Sequence, residues 1–144
     1  MFKELVKKSR SFRRFKQDPA PTLEQLAEVV ALARLAPSAN NDQPLKYFLV
    51  KSQEYLDHTF SCLQWAGYLT DWPGPAENER PTAYIIICSD PALRDNPEID
   101  VGLAAQIMIM GLREMGFGTC LLGSVDRPKL QKLLDLPRGL KIHF

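Results

Sequence analysis

The sequence predicts an α+β domain, a small mixed or antiparallel sheet wrapped by helices, and three observations lead there. Residues 83–88 (Ala-Tyr-Ile-Ile-Ile-Cys) form a continuous apolar run bounded by Pro81 and by Asp90 and Pro91, the pattern of a central strand covered on both faces. Residues 99–115 carry apolar side chains on nearly every side, the pattern of a buried helix. Helical and strand-like segments mix without βαβ alternation, and no internal repeat or low-complexity tract occurs.

The elements follow in chain order. Phe2, Leu5 and Val6 begin an apolar stripe with Lys3, Lys7 and Lys8 off it, which predicts a short amphipathic helix over 2–8. Pro19 and Pro21 interrupt regular structure, and Thr22 with Gln25 three residues on forms a capping-box signature that starts the next helix. In that helix Leu23, Leu26, Ala27, Val30 and Ala31 recur at intervals of three and four and are expected to bury one face; the pattern stops before Pro37. Residues 37–44 are rich in turn formers and bounded by prolines, hence a loop. A β-prone strand is expected over 47–50 and a helix over 54–65. Residues 67–81 read as a long surface loop. After the central strand, the helix over 99–115 is closed by Gly116, and core packing accounts for Met108, Met110 and Met115. Residues 116–124 return as strand or loop, 127–134 as a short helix, and 140–144 as the start of a strand.

The 144 residues are 45% hydrophobic and 24% charged, the composition of one folded domain rather than a disordered or fibrous chain. The longest apolar run, 101–112, is broken by Gln106 and falls well short of a bilayer span, and no apolar stretch follows the basic N-terminus as in a signal peptide. No membrane association is therefore expected, and the location expected is cytoplasmic. Cys62, Cys88 and Cys120 form no CxxC pair, and the two histidines, His58 and His143, are too few for a metal site or a Ser-His-Asp triad. Charge is uneven: residues 1–16 carry seven Lys/Arg against Glu4, a net +6, and residues 17–144 carry 11 against 16, a net −5. That is one anion-attracting segment on a mildly acidic domain, and the acidic remainder argues against a nucleic-acid partner.

Three segments carry chemistry. Arg10, Ser11 and Arg13 place two guanidiniums and a hydroxyl within four residues, the donor density a phosphate needs; the alternative is a solvated basic face. Ser38, Asn40, Asn41 and Gln43 offer donors and acceptors suited to a heteroaromatic ring; the alternative is an ordinary polar turn. Residues 116–123 hold three glycines that let backbone approach a flat ligand; the alternative is a helix cap plus turn. The spacing matches neither GxGxxG nor a GK[ST] loop.

Taken in order, these segments resemble the nitroreductase-like flavoproteins. Arg10-Ser11-Phe12-Arg13-Arg14-Phe15 is similar to their RSxRxF opening, residues 36–44 to their APSxxNxQP loop, and Ala104-Ala105-Gln106 with residues 116–123 to their AAQ helix and GLG-x-C-x-x-G turn. The resemblance runs from about Leu5 to Phe144. It implies a homodimer that holds FMN at the subunit interface and passes hydride from NADH or NADPH to a nitroaromatic, a quinone or a similar small-molecule acceptor. By motif position it implies that Arg10, Ser11 and Arg13 bind the flavin phosphate and ribityl chain. Pro37, Ser38 and Asn41 would line the isoalloxazine from the second subunit, and Leu122 and Gly123 would approach its reactive edge through backbone amides. The flavin carries the chemistry, so no catalytic side chain is expected. The loop 67–81, with Tyr68 and Trp72 beside Trp65, either covers the flavin face or only packs the surface. Relatives continue through a last strand and a C-terminal tail, so residues 1–144 read as a single nitroreductase-like domain lacking that segment. Two other readings compete: a flavin-poor family member acting as a dimeric scaffold or small-molecule binder, and an anion-binding module built on the basic N-terminus.

Overall fold

The computed structural model describes all residues, Met1–Phe144. Its helices are α1 (Phe2–Lys8), α2 (Leu23–Ala33), α3 (Gln53–Phe60), α4 (Glu98–Glu114) and α5 (Arg127–Leu133), and its strands are β1 (Leu45–Val50), β2 (Tyr84–Ser89) and β3 (Lys141–Ile142). The strands form one antiparallel sheet in the order β1-β2-β3, with Tyr47 opposite Ile87 and Cys88 opposite Ile142. Of the two sheet types expected, the antiparallel one is found.

β2 is central, and its alternation feeds two cores. Ile85 and Ile87 face α2 and α4, where Leu26, Val29, Val101, Ala104, Ala105, Met108 and Leu112 are buried. Tyr84, Ile86 and Cys88 face the opposite side, against Val50, Cys62, Leu130, Leu136 and Ile142. β1 follows the same period of two: Leu45, Tyr47 and Leu49 on the first side, Phe48 and Val50 on the second. A run that reads as uniformly apolar is thus a strand with a helical layer on each face.

Thr22 and Gln25 form the expected capping box, Gln25 N–H donating to Thr22 Oγ1 and Thr22 N–H to Gln25 Oε1. The buried stripe of α2 is Leu26, Val29 and Ala33, while Leu23, Ala27 and Ala31 are exposed. The stripe is turned from the expected one because Val29 packs opposite α4, where the burial of a branched side chain outweighs that of two alanines. Helix α3 stops at Phe60, short of Trp65; Leu63 instead bridges Val125, and Asp126 N–H donates to Cys62 O at 2.8 Å. Helix α4 is buried along one side only. Ile99 is 78% exposed, and Leu103 one turn on is exposed too.

Helix α4 ends in a Schellman motif: Phe117 N–H donates to Leu112 O, Gly116 N–H donates to Arg113 O, and Gly116 takes φ 93°. This closure turns the chain sharply into the segment described next.

Candidate functional site

The N-terminal arm crosses the turn that follows α4. Ser11 pairs with Thr119 in a parallel bridge, and Phe12 N–H donates to Thr119 O at 2.8 Å. Gly118 makes this crossing possible, since a Cβ there would lie 2.8 Å from Phe12 Cγ. Two of the three glycines thus serve the helix cap and the Phe12 contact.

The crossing sets Arg10, Ser11 and Arg13 at the start of the segment that leads on to Leu122 and Gly123. Arg10 Nη1 donates to Ser9 O at 2.7 Å and Arg13 Nη1 to Ser11 O at 3.3 Å. Neither guanidinium has a carboxylate within ion-pair distance. Arg13 lies close enough to the Cys120 thiol to oppose the rise in pKa that burial imposes on it. The backbone N–H groups from Cys120 to Ser124 donate to no backbone acceptor. Two uncompensated cations beside a row of free amides suit a ligand with a phosphate at one end and acceptor atoms along its length.

The second expected group lies elsewhere in the subunit. Ser38 Oγ–H donates to Asp100 Oδ2 at 2.5 Å, Ala39 N–H donates to Asp100 Oδ1 at 3.4 Å, and Gln43 N–H donates to Ser38 Oγ at 3.0 Å. Asn40, Asn41 and Gln43 take φ of 53°, 57° and 49°. Asparagine tolerates this left-handed region and glutamine less so, so the buried Asp100 holds the loop in a shape it would not adopt freely. Asn41 Oδ1 accepts from Gln43 Nε2 at 3.0 Å. After Gly116 the chain runs back alongside α4, so that Leu121 lines one cavity with Val101 and Gly102, and Gly123 lies against Phe144. The structure sets Arg10, Ser11 and Arg13 where this segment begins, at Thr119 and Cys120, with Leu122 and Gly123 farther along it, and gathers Ser38 and Ala39 separately around Asp100.

One feature was not singled out from the sequence, and another gains its placement only here. Asp100 shapes the 37–44 loop, and its only signal was an acidic residue in the first turn of an otherwise apolar helix. The loop 67–81 rests on the arginines: Arg13 Cζ lies 5.6 Å from the centre of the Tyr68 ring, and Arg14 Cζ 5.9 Å from that of Trp72. Trp65 packs inward against Phe15 and Phe60. An apolar cavity of about 170 Å³, lined by Trp65, Ile85, Met108, Cys120 and Leu122 among others, opens beneath this loop and the 117–122 turn. No three His, Cys, Asp or Glu side chains cluster as metal ligands would.

The sequence profile of the Nitroreductase family matches residues 6–143, nearly the whole of this chain. The chain belongs to the nitroreductase family. Among its relatives is a protein of Archaeoglobus fulgidus named for NADH dehydrogenase and NAD(P)H nitroreductase activity, 26% identical over 127 residues, with 83% of this chain and 68% of that protein aligned. Another is an iodotyrosine deiodinase of Thermotoga neapolitana, 27% identical over 161 residues, covering 99% of this chain and 84% of that one. A nitroreductase family protein of Clostridium novyi NT has the same fold, with a TM-score of 0.82 at 21% identity over 99% of this chain and 80% of its own. So does an iodotyrosine deiodinase crystallised with FMN and 3-iodo-L-tyrosine, at a TM-score of 0.82 and 22% identity over 99% of this chain and 85% of its own. The nitroreductase fold is thus shared over nearly the whole of this chain and over four-fifths or more of these two structures.

Proposed function

We propose that this nitroreductase-family chain is an FMN-dependent oxidoreductase that works as a homodimer, taking hydride from NADH or NADPH and delivering it to a nitroaromatic, a quinone or a similar small acceptor. The observation that carries the reading is the crossing of the N-terminal arm over the 118–123 turn, which sets two uncompensated guanidiniums beside a row of unpaired amides. FMN, when bound, supplies the hydride relay, so the chain needs no acid, base or nucleophile of its own.

Arg10 and Arg13 hold the phosphate by charge-assisted hydrogen bonds, and Ser11 contributes to the phosphate or ribityl oxygens. The amides of Leu122 and Gly123 donate to the edge of the ring. Pro37, Ser38 and Asn41 line its face, with the Ser38 hydroxyl oriented by Asp100. The arginine arm and the 37–44 loop share no hydrogen-bond partner within the subunit, and a two-fold dimer would let each site take its arginines from one copy and its 37–44 loop from the other. The deiodinase crystallised with FMN supports the cofactor, and the name of the Archaeoglobus relative supports a nicotinamide donor.

Purified protein is expected to show the visible absorbance of bound flavin and to lose it on addition of NADH or NADPH. Arg10→Ala with Arg13→Ala is expected to release the flavin while leaving the dimer folded. A double variant that keeps its flavin overturns the phosphate assignment. A colourless wild-type protein that takes up no added FMN overturns the whole reading in favour of a dimeric scaffold or small-molecule binder.

A further inference from the structure

The 37–44 loop carries the residues assigned to the face of the flavin ring, and little packing supports it from below. Asn40, Asn41 and Gln43 are exposed, and a cavity of about 380 Å³ lies between the loop, the end of α2 and β1, with Pro37, Gln43, Lys46, Tyr47 and Asp100 in its lining. Polar ties to the rest of the subunit therefore have to set the shape of the loop. Asp100 supplies them at its start, through Ser38 and Ala39. The bonds that Gln43 makes to Ser38 Oγ and to Asn41 Oδ1 stay within the loop and anchor it to nothing outside.

Arg94 is the anchor of the far half. Asp42 alone among residues 40–43 keeps a right-handed φ, −67°, between Asn41 and Gln43 at positive φ, and its Oδ2 lies 3.0 Å from Arg94 Nε. The Nε–H is not aligned with that oxygen, so charge rather than hydrogen-bond geometry makes the contact. The two side chains are 22% and 28% exposed, which shields the pair from much of the screening that weakens surface ion pairs. The platform under Arg94 is rigid. It follows the end of β2, where Asp90 N–H donates to Pro44 O at 2.9 Å, Ala92 N–H donates to Asp90 Oδ1 at 2.9 Å and Arg94 N–H donates to Asp90 O at 3.2 Å. The central strand thus reaches the loop at two points, Pro44 through a backbone bond and Asp42 through Arg94.

We propose that Arg94 is a positioning residue for the flavin ring, acting through Asp42 to hold Asn41 in the left-handed conformation that presents it. The role rests on the assignment of Pro37, Ser38 and Asn41 to the isoalloxazine. The loop serves the ring and the arginine arm serves the phosphate, so the two are separable: loss of Arg94 acts on riboflavin and FMN alike, whereas loss of Arg10 and Arg13 acts on FMN alone.

The flavin-free chain and its variants Arg94→Gln, Arg94→Lys and Asp42→Asn are compared first by hydrogen exchange at the Asn41, Asp42 and Gln43 amides, which donate to Ser38 O, Ala39 O and Ser38 Oγ. Each protein is then titrated with FMN and with riboflavin, followed by flavin fluorescence. Arg94→Gln and Asp42→Asn are each expected to speed exchange and to weaken both flavins by the same factor, about fivefold, and the double variant to be no worse than either single one. Arg94→Lys is expected to keep most of the wild-type affinity, because charge carries the contact. Unchanged exchange in both Arg94→Gln and Asp42→Asn overturns the anchor. Faster exchange with unchanged riboflavin affinity marks a merely structural pair and overturns the role toward the ring, as does a loss confined to FMN. A wild-type chain that binds neither flavin overturns the oxidoreductase reading itself, an outcome distinct from a wild type that binds and variants that bind equally well. Asp42→Asn reaches the same contact from the loop side, so a misfolded Arg94→Gln leaves the test standing.

Discussion

His143 shows how much one buried side chain can make stability depend on pH. It is 8% exposed, and its Nε2 is 2.7 Å from the Oγ of Ser89 beneath the β2-β3 pairing. Burial first, then the charge of Lys141, pushes its pKa below the ordinary histidine value; Glu98 opposes this and Arg127 adds to it. The imidazole is therefore neutral in the fold over a range where the unfolded chain already takes up a proton. Below about pH 6.5 the unfolded state binds more protons than the folded one, so stability present above that pH is lost as the pH falls toward the lowered value. Thermal melts from pH 7.5 to 5 are expected to show a falling midpoint whose slope flattens in His143→Gln, which keeps a partner for Ser89 without the titration. An unchanged slope in the variant would remove His143 as the cause. Arg127 secures the same strand from the other side, donating to Ile142 O at 3.0 Å, His143 O at 2.7 Å and Gly123 O at 3.1 Å. One side chain thus ties β3 to the end of the candidate flavin turn.

At the scale of elements, α4 organises both halves of the candidate site. Its first turn carries Asp100, which gathers the Ser38 hydroxyl and the Ala39 amide, and its Schellman end aims residues 117–123 at the N-terminal arm. Asp100→Ala is expected to cost about 1–3 kcal/mol, because it removes the buried carboxylate that the half-buried Ser38 hydroxyl and the Ala39 amide close on. The measurement is the urea midpoint at unchanged slope, and an unchanged midpoint refutes the role. The same variant is expected to loosen flavin binding without altering Arg10 or Arg13, which separates loop shape from phosphate contact. The loop 67–81 is tied to the site by Tyr68 over Arg13 and Trp72 over Arg14, with Arg14 also 3.7 Å from Glu79. Its aromatics therefore lie against the arm that carries the proposed phosphate cations.

For the whole molecule, the apolar surface left outside the two cores is informative. Helix α1 buries no residue although Phe2, Leu5 and Val6 form a stripe, Ile99 and Leu103 stand exposed one turn apart on α4, and Leu35 is 79% exposed. A helix that is apolar all round is usually buried all round, and one subunit covers only one side of α4. The proposed dimer supplies the missing cover. Ile99→Lys with Leu103→Lys is expected to shift the protein to monomer in sedimentation and, since each flavin would draw on both copies in the proposed dimer, to lower flavin retention as well. A dimer that survives both charges moves the interface away from α4. No helix of the chain is long and apolar enough to cross a membrane.

Much of this was legible in order along the chain. The capping box at Thr22, the helix over 2–8, the central strand and the glycine closing α4 depend on neighbours within a few residues, and local chemistry determines such features wherever they fold. The arginines, the 37–44 loop and the glycine turn were likewise recognisable as segments, because each is a short run with its own composition. What the chain could not show by itself was which of them meet. That Val29 rather than Ala27 faces the core, that α3 ends at Phe60, and that Gly118 makes room for Phe12 are decided by partners distant in sequence. So is the separation of the arginine arm, tied to Thr119, from the 37–44 loop, tied to Asp100. Arg80 is the clearest case: in the sequence it is one charge in a polar loop, and only packing on Phe60, 20 residues away, leaves it seated, shielded and without a partner. Local propensity is a property of neighbours along the chain, whereas burial and charge compensation belong to neighbours in space, and a binding site is made of the second kind.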